Sequence, residues 1–357
     1  MTASDPPQRL QCLITGGAGF IGAALARELA RGAGRVTCLD DCSAGDPGRL
    51  AGLESVDFVR GDVGEAGVLA AVLHERGPFD VLFHLAARVG VRAVLRDPEA
   101  CRRENLAGVR ALIDALQNLS VEQRPRVLAA SSSEVYDDGR EPLGESAPLR
   151  TAEGCGRFAY AASKRRAEEM LEAAQLWASG RGPVHLRLFN VVGPGQSAEG
   201  GMVLPTFVEA ARAGRLLSVH GDGRQVRTFA HVDEVARVLA ELAHRADLSA
   251  GSLNVGGRAR TTIGELAREV TRRCPEAAGI ESVDPRVSLG PAFEEVPFRV
   301  PDLQRLAALG VSVPRMSLAE IVSDTLDRHP PASVAETVPT ETVQAGSGRR
   351  ACASPAS

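Results

Sequence analysis

The sequence predicts an α/β protein in which a doubly wound parallel sheet is joined to a smaller C-terminal α/β lobe. Strand-like apolar runs alternate with amphipathic helical segments over most of residues 10–257. This alternation is typical of parallel sheets, because a crossover helix joins each strand to the next. A glycine-rich stretch, TGGAGFIG, follows the first strand-like run and opens the first helical one. This is the position at which a doubly wound sheet carries its phosphate-binding turn.

The individual elements follow from the period of the apolar residues, which is short and continuous in strands and close to 3.6 in helices. In chain order, the predicted strands are LQCLIT, VTCLD, VDFVRGDV, FDVLFHLAA, RVLAASSSEVY, VHLRLFNVV and GSLNVGG. The predicted helices are IGAALARELA, AGVLAAVLHER, ENLAGVRALIDALQNL, RFAYAASKRRAEEMLEAAQLWA, MVLPTFVEAARAG and HVDEVARVLAELAH. The charged stretch HGDGRQVR is predicted to be a turn.

The sequence pattern changes after residue 190, because the predicted loops become longer and richer in glycine and proline. We therefore predict a dinucleotide-binding domain over residues 9–190, to which residues 229–257 return. Residues 191–228 and 258–328 are predicted to form the smaller lobe, which binds substrate. Residues 330–357 are rich in Pro, Ser, Thr and Ala with little to bury, and are predicted to be a disordered tail.

Composition narrows the class of function. The formal charge of -4 and the lack of a basic stripe argue against nucleic acid as a partner. No apolar run reaches the length of a membrane span, and the first residues do not resemble a signal peptide. The seven cysteines are scattered without zinc-site spacing, so no metal is expected. A reduced, cytoplasmic protein is the resulting prediction.

The glycine loop predicts a dinucleotide site. Its spacing gives a tight turn at Gly16, close approach of the backbone to a pyrophosphate at Gly19, and helix-on-strand packing at Gly22. The helix that starts there, with Phe20 and Ile21, offers free N–H groups and a partial positive charge to phosphates.

Two acidic residues end the second strand and bear on the choice of dinucleotide. Asp40, followed by Asp41, lies about 20 residues beyond the glycine loop, where a carboxylate accepts hydrogen bonds from a ribose. The same carboxylate would repel a 2'-phosphate, which favours NAD over NADP.

Further cofactor contacts are expected after the third and fourth strands and on the next helix, namely Asp62, Val63, Leu85, Ala86, Ala87 and Asn105. Asp62 is placed to meet the adenine edge, but its spacing fits a helix N-cap equally well. The small Ala86 and Ala87 let a strand end approach the cofactor. His84 is interpreted as a packed or hydrogen-bonded histidine and not as a catalyst.

The chain has only two tyrosines, and one of them, Tyr160, lies one helical turn before Lys164. Residues i and i+4 share a helix face, so the two side chains project together. A nearby ammonium would lower the pKa of the phenol, as would the positive ring of NAD, and so allow Tyr160 to accept a proton from a sugar hydroxyl. Ser132, at the end of a serine-rich strand, is placed to hydrogen-bond the reacting oxygen.

The motifs TGGAGFIG, HLAA, SSSEVY, YAASK, RLFNVVGPGQ, RTFAHVDEV and LNVGG occur in the order seen in the extended short-chain dehydrogenase/reductase family. Within it, residues 10–328 resemble the nucleotide-sugar epimerases, dehydratases and decarboxylases. The resemblance implies a Rossmann domain with a sugar-nucleotide lobe, tightly held NAD, a nucleotide-sugar substrate that is UDP-linked, and a homodimer.

The same resemblance assigns the residues of the site. The catalytic trio falls on Ser132, Tyr160 and Lys164, and Lys164 would also hold the nicotinamide ribose. Substrate-binding positions fall on Arg92, Ser133, Asn190, Arg227 and Arg299. An arginine fork suits a diphosphate, although without the resemblance Arg227 and Arg299 would be interpreted as surface charges.

The reaction that the resemblance favours is 4-epimerisation through a transient 4-keto sugar. Glu134, in SSSEVY, stands where dehydratases and decarboxylases of the family place a glutamate, so decarboxylation of UDP-glucuronate and 4,6-dehydration remain alternatives. Ser132 and Ser133 precede it, so the aspartate acid of the sugar dehydratases is absent. Gly195 in GPGQ is a departure, because many relatives carry arginine there.

Overall fold

A computed structural model describes residues 9–328 except 33, 140, 152, 154, 155, 178–181, 291 and 292, together with residues 341 and 342. Among these residues no helix combines the length and the apolar character that crossing a membrane would need. The predicted disordered tail, residues 330–357, lies outside the described part of the chain apart from the pair 341 and 342.

The strands in chain order are β1 (Gln11–Thr15), β2 (Arg35–Asp40), β3 (Val56–Arg60), β4 (Val81–His84), β5 (Arg126–Ser132), β6 (Val184–Leu188), β7 (Val191–Val192), β8 (Leu216–His220), β9 (Val226–Arg227), β10 (Ala230–His231), β11 (Gly251–Val255), β12 (Thr261–Thr262), β13 (Gly279–Val283), β14 (Phe298–Arg299) and β15 (Glu341–Thr342). The helices are α1 (Phe20–Arg31), α2 (Val68–Arg76), α3 (Val91–Arg96), α4 (Pro98–Gln117), α5 (Ala159–Ala173), α6 (Val203–Arg212), α7 (Val232–Ala243), α8 (Ile263–Arg273), α9 (Pro285–Leu289), α10 (Gln304–Ala308) and α11 (Leu318–Arg328).

The main sheet is parallel throughout and has the order β11-β6-β5-β4-β1-β2-β3-β15. The chain starts in the middle, moves outward to β3, and then returns to fill the other side with β4, β5, β6 and β11. This reversal of direction beside β1 is the point at which doubly wound sheets bind their ligands. The predicted Rossmann fold class is therefore confirmed.

Both faces of the main sheet are covered by helices. The alternation in β1 shows this, because Cys12 and Ile14 belong to the core beneath α1 and α7, whereas Leu13 belongs to the core beneath α2, α4 and α5. A strand that is buried on both sides is apolar at every position, which is why the sequence shows short continuous apolar runs and not alternating ones.

A separate hydrophobic core lies among α6, α8, α11 and β8, with Phe207, Leu217, Leu266 and Ile321 as members. Small strands accompany it. β13 pairs with β8, and β9 lies between β12 and β14. The boundaries proposed between a dinucleotide-binding domain and a substrate lobe remain a prediction.

The structure differs from the predicted elements in three places. VHLRLFNVV is not one strand: β6 ends at Leu188, Asn190 has a positive φ of 33°, and β7 then pairs with β10. Helix α4 begins six residues earlier than expected, because Asp97 caps it and Pro98 occupies its first turn. HGDGRQVR is not only a turn, since it contains the end of β8 and all of β9.

Candidate active site

The predicted cofactor and catalytic residues converge at the carboxyl edge of the main sheet. β1, β2, β4 and β5 are neighbours in it, and each is followed directly by residues that the sequence singled out. Because the carboxyl ends of parallel strands meet at one edge, side chains distant in sequence come together there.

The glycine loop is as tightly packed as the sequence predicts. Gly16 has a φ of 73°, and a Cβ on it would lie 2.8 Å from the amide nitrogen of Ala86. A Cβ on Gly22 would lie 2.0 Å from the carbonyl oxygen of Gly16. Gly19 precedes α1, and no side chain among the described residues caps that helix end. The amides of Phe20 and Ile21 at that end are thus placed to meet an anion, so the loop fits a dinucleotide pyrophosphate.

Asp40 is bonded to the backbone around the glycine loop. Its two carboxylate oxygens accept hydrogen bonds from the amides of Ala18 (3.0 Å) and Cys42 (2.8 Å). Burial raises the pKa of Asp40, and these two bonds partly offset that effect. Asp41 is exposed and accepts hydrogen bonds from the amide and hydroxyl of Ser43, so it caps a local turn.

Asp62 does not cap a helix, so that alternative is wrong. Its Oδ1 accepts from the amide of Gly64 at 2.7 Å in a tight turn, and α2 begins only at Val68 with Gly67 as its N-cap. Asp62 is exposed at the carboxyl end of β3, and Val63 beside it packs towards α4. The predicted contact of Asp62 with an adenine remains a prediction.

The last residue of β4, His84, is a buried histidine. Nδ1 of His84 lies 2.9 Å from Oγ1 of Thr15, and burial lowers the pKa of His84 to about 3. A packed or hydrogen-bonded histidine was the predicted interpretation, and the hydrogen bond to Thr15 confirms it. Leu85 and Ala86 continue from this point and approach the glycine loop through Thr15.

Asn105 is buried on α4 and uses its side-chain amide within the protein. Its carbonyl accepts from the amide of Arg88 at 2.7 Å, and its NH₂ group donates to Oγ of Ser163 at 3.0 Å. It therefore holds the loop that begins with Ala87 and Arg88 against α4 and α5. A contact between Asn105 and a cofactor remains a prediction.

The catalytic candidates are brought together, and burial dominates the pKa values of two of them. The side chain of Ser132 lies beside the phenol of Tyr160 and lowers its pKa, but burial has the larger effect and raises it. Lys164 is buried, its Nζ donates to the carbonyl oxygen of Ala130 at 2.7 Å, and burial lowers its pKa to about 8. That the ammonium of Lys164 and the positive ring of NAD together lower the pKa of the phenol remains a prediction.

Glu134 lies close to Tyr160. It sits in the 3-10 helix Ser133–Val135 directly after β5, and its charge raises the pKa of Tyr160. Its amide donates to Oγ of Ser132 at 3.2 Å. Ser133 is buried and begins the same helix.

The predicted substrate residues occupy different surroundings. Asn190 donates to the carbonyl of Thr228 at 2.9 Å, at the turn between β6 and β7. Arg227 and Arg299 are paired in register on β9 and β14. Arg299 is only 1% exposed and donates to the carbonyl oxygen of Tyr136 at 3.0 Å, so the alternative of a surface charge is wrong for it. Arg92 is exposed at the start of α3.

Several buried polar groups in the same region were not identified from the sequence. Three side-chain oxygens find no hydrogen-bond partner among the described residues, namely Oε1 of Gln196, Oε1 of Gln225 and Oγ1 of Thr228. Such atoms are uncommon in proteins and are candidates for ligand contact. No local pattern marked them, because their burial depends on strands that pair across the lobe.

The loop that contains Gly195 is held by an arginine from elsewhere in the chain. Nη2 of Arg49, which follows β2, donates to the carbonyl oxygen of Gly195 at 2.8 Å. This contact connects the adenosine side of the predicted cofactor site to the loop after β7.

One cluster of possible metal ligands occurs among the described residues, formed by His231, Asp233 and Asp324. Nη1 of Arg328 lies 3.0 Å from the carboxylate of Asp233 and 2.9 Å from that of Asp324. One arginine already pairs with both carboxylates, so the cluster is interpreted as an ion-pair network that joins α7 to α11.

Comparison with known proteins agrees with this site. Residues 12–256 match the NAD dependent epimerase/dehydratase family. A UDP-N-acetyl-alpha-D-glucosaminuronate decarboxylase of Bacillus cytotoxicus is 29% identical over 323 residues, which cover 88% of this chain and 96% of that protein. A UDP-glucose 4-epimerase of Mycolicibacterium smegmatis is 33% identical over 269 residues, which cover 72% of this chain and 80% of that protein.

Among solved structures, a UDP-N-acetylglucosamine 4-epimerase from Methanobrevibacter ruminantium M1, in complex with UDP-N-acetylmuramic acid, superposes with a TM-score of 0.77 at 26% identity. The match covers 90% of this chain and 98% of that one. Sequence, fold and the packed glycine loop therefore agree. The chain belongs to the NAD dependent epimerase/dehydratase family, and NAD is its cofactor.

Proposed function

We propose that this enzyme is a nucleotide-sugar 4-epimerase that acts on a UDP-hexose or UDP-hexuronate, with Tyr160 as acid/base. The observation that carries the proposal is that the side chain of Ser132 lies beside the phenol of Tyr160 at the carboxyl edge of the sheet, with Lys164 one helical turn further along α5. With NAD as the hydride acceptor, these three side chains would provide the proton transfer and the hydrogen bonding that oxidation of a sugar alcohol at C4 and its reversal need.

Tyr160 would accept the proton of the C4 hydroxyl, and Ser132 would donate a hydrogen bond to the oxygen as it becomes a carbonyl. NAD, when bound, would supply the acceptor and later the donor of the hydride at C4. Burial raises the pKa of Tyr160, so positive charge beside the phenol is required before it can act as a base at neutral pH. Lys164 supplies part of that charge when it is protonated. In an epimerase the keto sugar then rotates, and Tyr160 returns the proton on the same oxygen.

The residues that would hold the cofactor lie at the carboxyl edge of the main sheet. The amides at the start of α1 would bind the pyrophosphate, and Asp40 would accept hydrogen bonds from the adenosine ribose. Leu85, Ala86 and Ala87 would line the site beside Gly16, where the backbone segments already touch.

The substrate assignment is drawn from relatives and from the lobe. Both curated relatives named above act on UDP-sugars, which supports a UDP-linked substrate here. Arg227 and Asn190 would contact the nucleotide. Arg299 would act from beneath, because it is buried against Tyr136. We also propose a homodimer, as the family resemblance implies.

A second candidate function is decarboxylation of a UDP-hexuronate. Of the two relatives named above, the decarboxylase matches the longer part of this chain. Glu134 also lies close enough to Tyr160 to affect the pKa of that tyrosine. A carboxylate there could act as a further acid or base once C4 is a ketone.

The test is incubation of the purified enzyme with NAD and a panel of nucleotide sugars, followed by isomer-resolving chromatography and mass spectrometry. The panel contains UDP-glucose, UDP-glucuronate and their N-acetyl and GDP counterparts. A new isomer of unchanged mass supports the epimerase, and loss of carbon dioxide supports the second candidate.

The variant Tyr160→Phe should keep NAD and the fold but lose turnover by several orders of magnitude. The other tyrosine provides a matched control. Tyr136 is buried and donates to Asn254 at 2.6 Å, so Tyr136→Phe should cost about 1–3 kcal/mol of stability yet leave turnover. Full turnover in Tyr160→Phe would contradict the assigned role.

A further inference from the structure

Three consecutive residues at the end of β5 contact three successive turns of α5. The carbonyl oxygen of Ala130 accepts from Lys164, Oγ of Ser131 donates to Glu168 at 2.5 Å, and the side chain of Ser132 lies beside that of Tyr160. The helix residues are four apart in sequence, so they lie on one face. The strand end that carries Ser132 is therefore fixed by the same helix that carries Tyr160 and Lys164.

Glu168 is the rigid member of this set. Its side chain is 2% exposed, and it accepts two hydrogen bonds from Arg187 of β6, at 3.0 and 2.8 Å. A bidentate arginine–carboxylate pair fixes the plane and position of the carboxylate. Arg187 is fixed in turn, because it also donates to the carbonyl of Glu145 and lies over the ring of Tyr136.

We propose that Glu168 is a positioning residue for the Ser132, Tyr160 and Lys164 trio, acting through its hydrogen bond to Ser131 and its charge near Lys164. The inference deepens the proposed function and rests on it. Glu168 does not contact the reacting atoms, and it acts by fixing where the strand end and the helix face meet.

The geometric part of the argument concerns Ser131. Its hydroxyl is buried, with 5% of the residue exposed, and it is bonded to a carboxylate that Arg187 also holds. The peptide between Ala130 and Ser131 carries the carbonyl that binds Lys164, and the next residue is Ser132, whose side chain lies beside Tyr160. Loss of the Ser131 bond would remove a side-chain contact between this strand end and α5, and small displacements of catalytic groups are costly to rate.

The electrostatic part concerns Lys164. The titratable groups that face it are His84 from β4, Cys101 from α4 and Glu168 from its own helix. His84 is neutral and Cys101 is a buried thiol of raised pKa, so Glu168 is the anion among them. Burial lowers the pKa of Lys164, Cys101 raises it, and the charge of Glu168 raises it further. Removal of that charge should make Lys164 lose its proton at a lower pH.

The alternative is that Glu168 and Arg187 form only a structural ion pair. A buried pair contributes little net stability compared with apolar residues, but loss of one partner is costly because a charge is left alone. Under this alternative, removal of the Ser131 hydroxyl lowers stability slightly and leaves the rate per folded molecule unchanged.

The experiment compares three variants in the holoenzyme, using the nucleotide sugar that the wild-type protein turns over. Ser131→Ala removes the positioning bond and leaves the ion pair. Glu168→Gln keeps the shape and removes the charge. Thr325→Val is the control, because Thr325 is also buried and bonds only to the carbonyl of Ile321 in its own helix, α11. Each variant is checked for fold by circular dichroism and for NAD content by absorbance.

The proposal predicts that Ser131→Ala lowers kcat by roughly 10- to 100-fold with KM changed less than about 3-fold. Glu168→Gln should also move the alkaline limb of the kcat–pH profile to lower pH, whereas Ser131→Ala should not. Thr325→Val should match the wild type in both measurements. If Glu168→Gln does not fold, Ser131→Ala decides the question alone.

A wild-type kcat in folded Ser131→Ala overturns the proposal, as does an unshifted alkaline limb in folded Glu168→Gln. Tyr160→Phe is measured in parallel to separate this failure from that of the proposed function. If Tyr160→Phe retains full turnover, the proposed function fails. If it is inactive while Ser131→Ala is normal, only the positioning role fails.

Discussion

Lys164 should make the protein less stable at neutral pH than it would be with an apolar residue there. Burial lowers the pKa of Lys164 from 10.5 to about 8, so below pH 8 the folded protein holds an ammonium that the unfolded chain would hold more favourably. At 1.36 kcal/mol per pKa unit, this difference costs about 3 kcal/mol. Between about pH 8 and 10.5 the folded state gives up the proton first, so the unfolded state binds more protons and stability rises with pH.

The variant Lys164→Met removes this dependence. It also leaves the Ala130 carbonyl without its donor, at a cost of about 1–3 kcal/mol, but that cost does not vary with pH. The assay is urea unfolding of wild type and Lys164→Met, freed of NAD, at a series of values from pH 7 to 10.5. The stability of Lys164→Met relative to wild type should fall by about 3 kcal/mol over that range. Parallel curves for the two proteins would refute the reasoning, because all other titrating groups are common to both.

Two further predictions concern the cofactor site. Gly22→Ala places a methyl group 2.0 Å from the carbonyl oxygen of Gly16, and only the backbone can move to relieve this clash. If the distortion costs about 3 kcal/mol of binding free energy, the affinity for NAD should fall by about 100-fold. Gly144→Ala, which meets nothing within 4 Å, should bind NAD as the wild type does in the same calorimetric titration. Asp40→Asn should weaken NAD binding and reduce the preference for NAD over NADP, because an uncharged amide does not repel the 2'-phosphate of NADP. An unchanged preference would contradict the role of Asp40.

The glycine loop, the strand ends and the tyrosine–lysine pair were predictable because each depends on local spacing. Gly16, Gly19 and Gly22 need only the turn and the helix that follow them, and Tyr160 and Lys164 need only one helical turn. Contacts made within a short segment are determined by that segment, and the fold then brings the segments to one edge of the sheet.

The contacts that sequence reasoning missed join residues far apart in the chain. Glu168 meets Arg187 across α5 and β6, and Arg49 meets Gly195 from the other side of the sheet. The effect of burial on the pKa of Tyr160 was not anticipated for the same reason, because it depends on how deeply the finished fold buries the phenol. Neither these contacts nor this effect of burial can be predicted from the spacing of residues in the sequence.

The contacts around Tyr160 and the polar groups around β9 lie in different parts of the fold. In the proposed reaction, proton transfer at C4 depends on β5, α5 and β6, which are joined by buried contacts through Glu168 and Arg187. Gln225 and Thr228 lie on either side of β9, outside the main sheet. Under this proposal, substitutions around β9 would change which sugar binds without disturbing Ser132, Tyr160 and Lys164. A small number of groups near the edge, with Glu134 foremost, would then decide whether the keto sugar is returned as an epimer or loses carbon dioxide.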